Sequence, residues 1–85
     1  MSKGLYAVRD IVAQTIIGGI IMEPADAPAI RAFYDALRTK GSLLAEHPAD
    51  FTLLHLGNID LATGELMYTN TTVVATGTGW LEQNT

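Results

Sequence analysis

The chain has no cysteine, only five lysines and arginines, and no apolar run longer than Ile16 to Met22. Without cysteine, neither disulfides nor thiolate metal sites can hold an 85-residue chain together. The five basic residues stand against nine acidic ones, a net charge of −4. That balance argues against a protein whose main task is holding nucleic acid, because phosphate binding draws on clustered Lys and Arg. The Ile16 to Met22 run is too short to span a bilayer, and the opening MSKGLYAVRD lacks the apolar core and cleavage site of a secretory signal. The expectation is a cytosolic protein with no membrane role, so the sequon Asn70-Thr71-Thr72 reads as a chance match.

A catalytic motif is also missing. The titratable candidates are His47, His55, Glu46, Asp50, Asp60 and Glu65, and they form no recognised constellation. His55 lies inside an apolar strand, where a hydrogen-bonded core or interface histidine is the ordinary role, and His47 precedes a proline in a bend. Their separation is not a metal-ligand spacing, and the turn between Asp60 and Glu65 is too short for a calcium loop. No enzymatic activity, metal or cofactor is expected.

What the chain does have is apolar residues. They make up 48% of the sequence against 16% charged. A domain of this size buries only about 60–65% of its unfolded surface, so its core is thin and some apolar surface should meet a partner. Leu5 to Asp10 and the Ile-rich Thr15 to Met22 read as a β-hairpin, with Gly18-Gly19 as a bulge or a close backbone approach. Asp26 can cap a helix from about Ala27 to Lys40, whose Ile30, Phe33, Tyr34 and Leu37 fall at i, i+3, i+4 and i+7. Pro28 suits its first turn and Gly41 its C-terminal cap.

After a polar bend at Glu46-His47-Pro48, Phe51 to Ile59 reads as a third strand. Leu61-Ala62-Thr63-Gly64 reads as a turn into a return strand, Glu65 to Tyr68, followed by a last β-rich piece, Thr71 to Thr76. The fold class is α+β: a small antiparallel sheet of about four strands in ββαββ order, with one amphipathic helix on one face. The domain spans residues 1–76, and 77–85 reads as a flexible tail.

Both faces of the third strand are apolar, so one helix cannot cover the sheet, and a dimer or higher assembly follows. The candidate oligomer or partner contacts are Ile17, Ile20, Leu54, Leu56, Trp80 and Leu81. Arg31, Arg38 and Lys40 form a basic stripe on the helix, with Asp35 spaced to pair both arginines. Such a row is ordinarily a solvated face, and these three are the candidate DNA contacts.

The wording of several segments resembles the small nonstructural protein of gokushovirus-type microviruses, the tailless single-stranded DNA phages. The resemblance runs from Leu5-Tyr6-Ala7-Val8-Arg9-Asp10 through Met22-Glu23-Pro24 and the helix with Ala29-Ile30-Arg31-Ala32-Phe33. It is sharpest at His47-Pro48-Ala49-Asp50-Phe51, which is similar to the family's His-Pro-Glu-Asp-Tyr element. Leu54-His55-Leu56-Gly57-Asn58-Ile59-Asp60 and Thr63-Gly64-Glu65 are similar to its strand and turn that follow. Ala49 replaces an acid and Ile59 an aromatic, and beyond about Leu66 no match is evident.

The resemblance implies a non-enzymatic accessory factor of the infected bacterium's cytoplasm that is not a major component of the mature virion. Its implied role is to favour the switch from duplex replication to single-strand synthesis coupled to packaging. The implied partners are itself, viral replication or capsid proteins, and weakly single-stranded DNA. The alternative is a homo-oligomeric adaptor or assembly factor that binds capsid or host protein without touching DNA.

Overall fold

A computed structural model describes residues 1–84. Four antiparallel strands form one sheet: β1 (Ser2–Asp10), β2 (Thr15–Glu23), β3 (Phe51–Asp60) and β4 (Leu66–Thr76). Their order across the sheet is β2-β1-β3-β4. Helix α1 (Asp26–Arg38), helix α2 (Leu43–Glu46) and a 3-10 turn (Pro48–Asp50) lie between β2 and β3, and helix α3 (Gly77–Gln83) follows β4. The expected small α+β fold is the one observed.

The two hairpin connections are closed in the same way. At each strand end an aspartate side chain accepts two backbone N–H groups of the turn: Asp10 from Val12 and Ala13, Asp60 from Ala62 and Thr63. This short-range capping favours turn over continued strand. Gly64, with φ +77°, supplies the left-handed residue that lets β4 start back along β3. Asp60, a candidate for chemistry by composition, is thus part of the turn.

The core lies between the sheet and the helices. Tyr6, Phe51, Leu53 and Ala75 from the strands meet Ala29, Phe33 and Leu37, which fall four residues apart on one stripe of α1. Asp26 is not the cap of α1, which is Ala25 without a side-chain bond. It sits in the first helical turn and accepts a hydrogen bond of 2.5 Å from the Tyr6 hydroxyl. That bond fastens the start of the helix to the central strand, and the Tyr6 ring lies across the side-chain-free Gly4.

Burial, the Asp26 bond, and the negative charges of Asp26 and Glu23 together push the Tyr6 phenol up to about 12. The fold therefore favours the neutral phenol. Its contribution is fully present below the ordinary phenol value of about 10 and is lost as pH rises through about 12. Urea unfolding of the wild type and of Tyr6→Phe at about pH 8 and about pH 11 should show a larger alkaline loss in the wild type, with a slope approaching about 1.4 kcal/mol per pH unit. Equal losses would contradict this assignment.

Three further expectations are corrected. Residues 77–83 are not a loose tail but helix α3, capped by the Thr76 hydroxyl, which accepts from the Gly79 N–H, and held by Trp80 packing against the core. The two pieces expected at Glu65 to Tyr68 and Thr71 to Thr76 are not separate but form one continuous strand, β4, which starts at Leu66. The bend before Pro48 is likewise partly helical, because Ser42 caps α2 through a bond from the Ala45 N–H.

Candidate functional site

Residues paired across an antiparallel ladder share a face, so the register sorts every strand side chain to the helical side or to the uncovered side. Three rows cross the uncovered side. Met22, Leu5, Gly57 and Tyr68 form the first; Ala7, Leu54 and Val73 the second; Ile16, Arg9, Thr52 and Thr76 the third. Lys3, Ile59 and Leu66 extend the face toward the β3–β4 turn. Ala7 and Leu54 are buried here by their neighbours without belonging to the helical-side core. Around them Ile16, Met22, Leu66 and Val73 stand open, Val73 at 56% exposure and Tyr68 at 87%.

The charges divide between the two faces. Both strand cations, Lys3 and Arg9, are on the uncovered side, whereas the strand acids Asp10, Glu23 and Asp60 pair with residues of the helical side. The uncovered face is thus aliphatic at its centre, cationic at both ends of β1, and free of strand carboxylates.

The edges of the sheet differ from its face. On β2, residues 18–20 stand opposite Ala7 alone, the bulge expected at Gly18-Gly19, and on β4 residues 69–71 stand opposite Leu56 alone. Such excursions break the even row of N–H and C=O groups that a new strand would need. Association along an edge is therefore disfavoured.

Of the residues expected to touch a partner, Leu54 lies on this face, and alternation carries Leu56 to the same side at the β3 bulge. Ile20 is exposed within the β2 bulge. Ile17 and Trp80 pack against the chain's own core, and Leu81 is half-buried on α3. The indole Nε1 of Trp80 is buried with no hydrogen-bond partner among the described residues. Arg31, Arg38 and Lys40 are exposed on the helical side. Only Arg38 reaches Asp35, at 2.8 Å between exposed groups, a pair that contributes little.

His55 is half-buried on the helical side, 3.3 Å from the Asn58 carboxamide and with its ring 5.1 Å from that of Tyr6. Among the described residues no group of three or more His, Asp or Glu could hold a metal, and no helix is long and apolar enough to cross a membrane. Lys3, Arg9, Ile16, Met22, Val73 and Tyr68 were not expected on a common surface. The signal was the parity of Lys3, Leu5, Ala7 and Arg9 along β1, legible only once the strand register is known.

Compared with known proteins, the chain matches the family described as Phage ORF5 protein over residues 3–79. The chain belongs to this phage family. The match takes in β1 through the start of α3, and so all four strands of the uncovered face. No curated protein and no solved structure matches the chain.

Proposed function

We propose that this phage protein is a non-enzymatic accessory factor of the gokushovirus-type microviruses, acting in the switch from duplex replication to single-stranded genome synthesis and packaging. It works by protein contact, and its working surface is the uncovered sheet face. The observation that carries this reading is the aliphatic centre of that face, where Leu5, Ala7, Leu54 and Val73 adjoin with no strand carboxylate among them. Its resemblance to the microvirus nonstructural protein at His47-Pro48-Ala49-Asp50-Phe51 supports the biological setting.

The adaptor reading, in which DNA is never touched, draws support from the net charge of −4 and from a face with two cations and one exposed aromatic ring. Nucleic-acid-binding sheets offer several stacking rings instead. In this reading the protein acts on capsid or host protein alone.

The test is a phage in which the gene is disrupted. Infected cells should accumulate duplex genome while single-stranded progeny DNA falls by roughly tenfold or more, and normal single-strand yield would contradict the switch role. Binding of a single-stranded oligonucleotide separates the two readings. Direct contact predicts an affinity that falls by about 0.7 logarithmic units per phosphate contact for each tenfold rise in salt, and a flat titration favours the adaptor.

A further inference from the structure

We infer that the occupant of the uncovered face is a second copy of this chain, stacked face to face about a two-fold axis to form a helix–sheet–sheet–helix sandwich. This rests on the reading of that face as the working surface and names what it meets.

Four observations point to a copy rather than to another partner. First, a broad side 42 Å long and 20–23 Å across is large enough for the about 800 Å² per partner that a stable complex buries. Second, the lone chain is more open than its mass warrants. Its surface of 5277 Å² compares with about 4,900 Å² for a compact monomer of this size, and its radius of gyration of 13.2 Å with about 12 Å.

Third, both sheet edges are interrupted by bulges, which disfavours pairing of two copies into a continuous sheet and favours contact through the faces. Fourth, the centre of the face bears no charge, so stacking two copies buries no unpaired ion. Lys3 and Arg9 sit at opposite ends of β1, about 20 Å apart at the strand rise per residue, where they stay at the wet rim of the sandwich. A face of aliphatic rows is the ordinary inner surface of two sheets packed about 10 Å apart.

Light scattering on the purified chain at concentrations up to about 1 mM tests this. The wild type should have twice the single-chain mass. Val73→Glu, which places a carboxylate on the face beside Leu54 at a position already open in the lone chain, should weaken association by at least 100-fold while circular dichroism stays unchanged. Val12→Glu is the control: Val12 is 74% exposed but lies in the β1–β2 turn, off the face, so its mass should remain doubled.

A single-copy wild-type mass at the highest concentration would overturn the inference, and so would a Val73→Glu variant that stays doubled. A wild type that is single and binds a single-stranded oligonucleotide, with Val73→Glu abolishing that binding, would assign the face to nucleic acid and equally overturn it. The mass is read on the protein alone and the switch role on the gene-disrupted phage, so either can fail without the other.

Discussion

Replacing Gly77 by alanine is expected to detach helix α3 and to cost about 3 kcal/mol, which for a domain of this size lowers the melting temperature by about 12–24 °C. The reason is steric. A Cβ on Gly77 would fall 1.6 Å from the Pro48 carbonyl oxygen and 2.5 Å from its carbon, both backbone atoms that no rotamer change can move aside. The buried glycine is the contact point at which α3 rests on the 3-10 turn, and lifting it off would pull Trp80 from the core.

Because Trp80 is the sole tryptophan, its fluorescence reports this event directly. The variant should emit at longer wavelength under native conditions, before the sheet melts. Gly79→Ala is the comparison: its Cβ would meet only the Thr76 hydroxyl, at 3.0 Å, and should cost far less. An unshifted spectrum and an unchanged melting temperature in Gly77→Ala would show that α3 does not depend on this contact.

The second large effect is at Leu53. It is fully buried in the middle of the row Ile17, Val8, Leu53 and Ala75, against the helical layer. Leu53→Ala should cost about 3–4 kcal/mol, from lost apolar transfer and the cavity left behind. A chain of this length has roughly 4–13 kcal/mol in all, so equilibrium urea unfolding should show about a quarter or more of the stability gone. A loss below about 1 kcal/mol would mean the site collapses around the smaller side chain.

Its neighbour Leu54 points the other way. If that face is covered by a second copy, the cost of Leu54→Ala should grow with protein concentration, whereas that of Leu53→Ala should not, apart from the shared association equilibrium. Two adjacent residues thus separate the stability of the fold from that of the assembly.

Much of this architecture was legible in the residues. The spacing of Ile30, Phe33, Tyr34 and Leu37 places α1, and the Asp60 to Gly64 turn joins β3 to β4. The apolar residues on both sides of β3 indicate a sheet with one face uncovered. Helix α3 was hidden because its first three residues, Gly77, Thr78 and Gly79, have low helix propensity. What forms it is the Thr76 cap together with Trp80, whose packing no local pattern shows.

The continuity of β4 was obscured by Asn70, which ordinarily breaks a strand but here falls in a bulge. The makeup of the uncovered face was harder to read. Bulges shift the pairing along β3 and β4, so simple alternation from Leu53 sends Gly57 and Ile59 to the core side when the register places them with Leu5 and Lys3 on the uncovered one. The segregation of Lys3 and Arg9 from the strand acids follows from the same register and from nothing in the composition.

Sedimentation equilibrium of the wild-type chain, from micromolar to millimolar concentration, weighs the account most directly. A mass rising to twice 9.1 kDa and stopping there is the predicted result. A mass of 9.1 kDa throughout would show that the aliphatic face stays open in the free protein, contrary to the account.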